Sequence, residues 1–233
     1  MSRKRPLNAG GRIPRLKNRV AVARSAWAAP LSKRARGGQL NERLPFVPPE
    51  DWHEPRENGS GYRIWVQPPG AGYRHVVTPA EVRQRLAELP AEFTRPLEVI
   101  QFSRMTRKKQ SFPCYGMQWG AAIYLYPIED SLVESYNQPP KPNQVNEARM
   151  YGGRWVQEGR DTWSLIWTEA AIQDFYLNNI LIHELGHLLD DRNSRQVDRE
   201  RFAEWFAVRY GYQSTRGRLR DPQQVRRRHH SRH

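Results

Sequence analysis

The chain has 233 residues, enough for one sizeable domain with extensions, and its hydrophobic content of 38% is low but adequate for a core. A single cysteine, Cys114, excludes an intrachain disulfide, and no apolar run approaches the ~18–20 residues of a membrane span. The net charge of +14 sits at the ends. Residues 1–40 carry 11 Lys/Arg and no acid, residues 213–233 carry 7 Arg and one acid, and residues 41–212 are left at −3.

A soluble protein in a reducing compartment such as the cytoplasm is the expectation. The basic ends read as disordered termini, with tethering to nucleic acid or an anionic surface as a second reading. Residues 1–40 also have the Arg-rich, acid-free composition of an organelle transit peptide, which would place the protein in an organelle matrix.

Residues 1–60 form a basic, Pro/Gly-rich extension and linker, in which Leu44 to Trp52 is expected to dock through Phe46, Val47 and Trp52. The folded domain is predicted over 61–212, with a basic tail over 213–233. Tyr62 to Val66 alternates as a strand, Pro68 to Gly72 is a turn, and Tyr73 to Val77 is a second strand. Thr78-Pro79-Ala80-Glu81 is a capping box with Pro at the first helical position, so a helix is predicted to about Leu89. Pro96 to Phe102 reads as a strand, Ser103 to Ser111 as a polar turn, and residues 115–126 as one long strand. Pro139, Pro140 and Pro142 mark an irregular loop. Gly153 to Gln157 and Thr162 to Trp167 are predicted strands about the turn Glu158 to Asp161. Thr168 caps a predicted helix from Glu169 to about Asp190, whose apolar residues recur at mixed spacings of two to four. Gln196 to Tyr210 is predicted as another helix, with Val197, Phe202, Ala203, Phe206 and Ala207 inward, and order is expected to fade after Tyr212.

The chemistry lies in His183-Glu184-Leu185-Gly186-His187, an H-E-x-x-H run inside the apolar stretch Ile180 to Leu189. Two imidazoles four residues apart share one helix face, as two ligands of a tetrahedral zinc require. Glu184 stands beside them, placed to take a proton from a metal-activated water. A catalytic zinc needs a third protein ligand and an open position. The next helix carries Glu200 and Glu204 on one face. Unpaired, both are costly to bury. Glu200 is the expected ligand and Glu204 its second-layer partner, hydrogen-bonded to an imidazole. Glu204 itself, Asp190, Asp191 and Asp198 compete for the third-ligand role. Tyr210 and Tyr212 are candidates for stabilising an oxyanion, with His53 and His75 behind them.

His183 to His187 followed by Glu200-Arg-Phe-Ala-Glu-Trp-Phe-Ala207 resembles the gluzincin metallopeptidases, nearest to ImmA/IrrE-like and minigluzincin proteins with an E-x-x-A-x-x-F-A second helix. The motifs cover about residues 176–208. The resemblance implies an α+β, zincin-like fold: a small mixed sheet over an active-site helix and a following carboxylate helix. It implies one Zn²⁺ held by His183, His187 and Glu200, with Glu184 as general base, Glu204 orienting a histidine, and Gln118 to Tyr124 pairing with a protein or peptide substrate. The metzincin extension is absent, since Asp190 and Asn193 stand where it has Gly and His. Cys114, just ahead of that strand, is expected to be a buried, inert thiol. The expected activity is zinc-dependent endopeptidase chemistry. The alternative is a nucleic-acid-associated regulatory or structural protein whose metal site lacks general peptidase activity.

Overall fold

The computed structural model describes residues 49, 51–53, 61–111 and 114–219. The expectations for residues 1–48 and 220–233, including docking through Phe46 and Val47, lie outside them. The described part is an α+β arrangement of three small sheets with helices. Among its described residues, no helix is long and apolar enough to cross a membrane.

The first half builds a four-stranded mixed sheet. Strands β1 (Arg63–Val66), β3 (Val99–Phe102) and β5 (Ala122–Leu125) are parallel, and β4 (Gly116–Trp119) runs antiparallel to β5 at the edge. The stretch 115–126, expected as one strand, is therefore a hairpin. It reverses at Gly120, whose φ of 57° favours glycine. Strand β2 is only Tyr73–Arg74 and pairs with β6 (Ile128–Glu129).

Helix α1 (Pro79–Ala87) opens as expected. The Glu81 N–H donates to Thr78 Oγ1 at 3.3 Å and the Thr78 N–H to Glu81 Oε2 at 2.7 Å. Thr78→Ala should lower stability by about 1 kcal/mol, read as a melting shift of about 2–4 °C. A short helix α2 (Ala91–Thr94) follows. The expected polar turn contains α3 (Arg107–Ser111), because Lys109 is drawn inward over the Tyr126 ring, 4.1 Å from its centroid. Its Nζ lies 3.5 Å from Cys114 Sγ, so the half-buried thiol faces an ammonium group.

The expected proline-marked loop ends in a helix, α4 (Pro142–Met150), with Pro142 at N1 and the Gln144 side chain accepting the Lys141 N–H. Strands β7 (Val133–Tyr136), β9 (Thr162–Ile166) and β8 (Arg154–Gly159) form a separate antiparallel sheet in the order β7-β9-β8. The β8–β9 hairpin falls where its turn residues placed it.

The long helical run is continuous but not uniform. It consists of α5 (Glu169–Phe175), a π-helical turn (Tyr176–Ile180) and α6 (Leu181–Leu189). The extra residue of the wider turn shifts the helical phase. That is why the buried Ile172, Phe175, Tyr176, Ile180, Ile182 and Leu185 recur at mixed spacings. The last run repeats this plan: α7 (Gln196–Phe206), a π turn (Ala207–Gln213) and α8 (Ser214–Leu219), so helix continues beyond Tyr212. Val197, expected inward, is 55% exposed, whereas Ala203, Phe206 and Ala207 are buried. The two π turns pack together, and buried Arg85 ties them. Its Nε donates to Asn178 Oδ1 at 2.6 Å and its Nη2 to the Tyr210 carbonyl at 2.5 Å.

A candidate metal centre between two helices

Helices α6 and α7 approach closely because Gly186 faces Ala203. A Cβ at Gly186 would lie 3.0 Å from Ala203 Cα and 3.1 Å from Phe206 Cβ. This contact aims the carboxylate helix at the imidazole pair. His183 is fully buried and His187 nearly so, their ring centroids 4.7 Å apart and nearly perpendicular. Glu200 Oε2 lies 3.5 Å from Nε2 of each. That separation is long for a hydrogen bond. It matches the edge of a tetrahedron of ligands about 2.0–2.1 Å from one centre, which is about 3.4 Å. Among the described residues, His183, His187 and Glu200 form the group whose ligand atoms converge in this way, and their donor set fits a divalent metal ion.

The electrostatics suit that set. Burial pushes the Glu200 carboxyl up, but the two imidazoles outweigh it and hold the group down at about 2. Glu200 therefore presents a carboxylate, the form a metal requires. Its other oxygen accepts from Gln196 Nε2 at 2.5 Å, which fixes the rotamer.

Glu184 is buried beside the pair, 2% exposed, and its Oε1 has no hydrogen-bond partner among the described residues. Burial raises its pKa, and the neighbouring histidines and the Gln118 backbone N–H partly offset this. Space for the carboxylate comes from Gly116 on β4. A Cβ there would lie 2.6 Å from Ile180 Cγ2 and 3.0 Å from Glu184 Cγ.

The remaining expectations fare differently. Glu204 is exposed one turn beyond Glu200, and its carboxyl is raised by burial and lowered by the nearby His183 charge. Asp190 is used by the turn after α6, where Oδ1 accepts from the backbone N–H groups of Arg192 and Asn193. Asp191 is exposed, and Asp198 faces Arg201 at 3.5 Å. The oxyanion candidates make the following contacts. Tyr210 packs on Phe93 and Phe206, and Tyr212 packs against Tyr151 and Arg216. His53 bonds Gln101, and His75 bonds the Gln67 carbonyl. Of Gln118 to Tyr124, only Gln118 and Trp119 lie on the edge strand β4, while Ala122 to Tyr124 belong to the interior strand β5.

Arg199 was not among the expected residues. Its Nη2 reaches the His187 carbonyl at 3.3 Å and Gln118 Oε1 at 3.5 Å, joining α7, the end of α6 and β4. Its position directly before Glu200 was the one available signal, and nothing in a surface-charge pattern distinguishes it from the neighbouring Arg201.

Behind the site, Asn179 Nδ2 donates to Glu147 Oε1 at 2.5 Å. Burial pushes the Glu147 carboxyl up to about 8, opposed by that hydrogen bond and assisted by Glu204. The folded value lies above the unfolded carboxylate value of about 4.3. This group's contribution to stability is therefore fully present below about pH 4 and is lost as pH rises toward 8. Glu147→Gln keeps an acceptor for Asn179 and removes the titration. It should be more stable than the parent by roughly 2–4 kcal/mol near pH 8, with the gain vanishing near pH 4. Urea unfolding across this range measures it, and a gain independent of pH would refute the assignment.

The fold and the cluster thus define an α+β domain in which two buried histidines and a half-buried carboxylate form a group that could hold a metal ion. No protein-family model matches the chain, and neither does any curated protein or solved structure.

Proposed function

We propose that the chain is a zinc-dependent endopeptidase with a zincin-like domain of the gluzincin type. The observation that carries this reading is one carboxylate oxygen equidistant from two imidazole nitrogens, with a second, buried carboxylate alongside. His183, His187 and Glu200 would hold the ion, and two nitrogens with one oxygen are a donor set suited to zinc. A bound Zn²⁺ supplies Lewis acidity, which polarises a carbonyl and lowers the pKa of water.

The chain's own residues supply the rest. Glu184 Oε1 accepts the proton of the attacking water and returns it to the leaving amine. A raised pKa suits a group that must both take and give a proton near neutrality. Arg199 offsets negative charge that develops during attack. The edge strand β4 offers backbone groups to an extended peptide, and Glu204 acts through His183 as a second-layer residue.

The test is metal analysis of the full chain beside Glu200→Ala. About one ion per chain is expected in the parent and almost none in the variant. Full occupancy in Glu200→Ala would remove the proposed ligand set. A second reading, a nucleic-acid-associated protein, is favoured by the 11 Lys/Arg of residues 1–40 and the 7 Arg of residues 213–233. It predicts a salt-dependent gel shift that disappears when those ends are deleted.

A further inference from the structure

Arg199 stands where α7, the end of α6 and the edge strand β4 meet, directly before the candidate ligand Glu200. Among the described residues its side chain makes two long hydrogen bonds, both from Nη2, to the His187 carbonyl at 3.3 Å and to Gln118 Oε1 at 3.5 Å. Both acceptors are neutral, and the buried Nε makes no bond. No Asp or Glu of the described residues pairs with it, whereas Arg201, on the same helix, faces Asp198 at 3.5 Å. The half-buried guanidinium is thus left with most of its donors unused and its charge uncompensated.

The surroundings define what fits there. Glu184 and Glu200 repel a negative group, so such a group is favoured only beside Arg199. Strand β4 sets the geometry. A Cβ at Gly116 would touch Ile180 and Glu184, so Gly116 and Gln118 face the helices, while Met117 and Trp119 pack against Tyr124 and Tyr126 on the other face. The Gln118 side chain donates to the Gly120 carbonyl at 2.6 Å, which keeps its oxygen turned to Arg199. An extended peptide paired with this edge presents every second side chain on the Gln118 face, and the one beside Gln118 meets Arg199. We infer that Arg199 selects peptides carrying a carboxylate at that position, held by paired, charge-assisted hydrogen bonds from the guanidinium. The carboxylate belongs to an acidic side chain or to a free chain end. This rests on the peptidase reading for its strand-paired peptide and adds the substrate class.

Fluorescence anisotropy of the full chain carrying Glu184→Gln tests it at physiological salt. The probes are short, labelled Ala/Leu peptides with blocked ends and one central Glu, the same peptides with Gln, and the Gln peptides with a free carboxyl end. The Glu peptide or the free-ended one should bind about tenfold or more tighter than the blocked Gln peptide. The tighter of the two assigns the carboxylate to a side chain or to a chain end, and either supports the site. Adding Arg199→Gln should bring the ratio to about one. Arg199→Lys keeps the charge without the fork and should give an intermediate ratio, which decides the matter if Arg199→Gln does not fold. Equal binding of all three probes, no binding of any, or a ratio unchanged by either substitution would overturn the inference. Cleavage of the same peptides by the parent is read separately. Carboxylate preference without cleavage removes the peptidase reading and keeps the site, whereas cleavage of all three at equal rates keeps that reading and overturns the site.

Discussion

If the proposed peptidase reading holds, Glu184→Gln is expected to keep the metal and to slow peptide cleavage by about 10²–10⁴-fold, the usual contribution of a positioned general base. Glutamine fills the same buried space beside Ile180 and Gly116 and retains an oxygen for the Gln118 N–H. It cannot accept the proton of water. The fold and the three candidate ligand side chains are untouched, so metal content and melting temperature are expected to stay near those of the parent. The measurements are metal content by elemental analysis and turnover of a peptide library. Cleavage at parental rate with Glu184 replaced would end the peptidase proposal, whatever the metal content.

The largest effect expected on folding is at Gly211. An added Cβ would lie 1.8 Å from the Asn178 carbonyl oxygen and 2.9 Å from its carbon. Both are backbone atoms, so no rotamer change relieves the clash. Asn178 O also accepts from Tyr151 Oη at 3.1 Å, and Arg85 joins this turn to Tyr210. Gly211→Ala must force the two π turns apart and disturb that network, at a cost of about 3 kcal/mol or more. For a chain of this size the melting temperature falls by about 6–12 °C. The π turn that moves leads directly into α6, so metal affinity falls with stability. Gly159→Ala is the control, since its Cβ meets Thr162 at an ordinary 3.7 Å. Equal melting of the two variants would mean that the close approach of the π turns is not a real constraint.

Local patterns explain which features were readable early. The capping box at Thr78 and the cap at Thr168 act within one turn of chain, and both form. The pairing of His183 with His187 follows from helical spacing alone. The β8–β9 hairpin follows from its turn residues. Other features depend on distant partners. The break of 115–126 into two strands rests on Gly120 reversing beside a sheet. Helix α4 competes with a proline-rich loop, and its burial against the β8 region decides the outcome. Tyr210 and Tyr212 follow the second helix closely, and their ring packing on Phe93, Phe206 and Tyr151 rests on partners far away in the chain.

What the sequence alone determined is the chemistry in residues 183–187: two imidazoles and a carboxylate on one helical segment, with acids spaced a turn apart on the next. Only the tertiary structure decided that Glu200 meets both imidazoles while Asp190 and Asp198 are used elsewhere. It also brought Tyr115, Tyr136 and Trp167 from separate elements to donate to the one carboxylate of Glu134. Spacing along a helix fixes which side chains share a face. The approach of a second helix depends on packing between residues far apart in the chain, here Gly186 against Ala203 and Phe206.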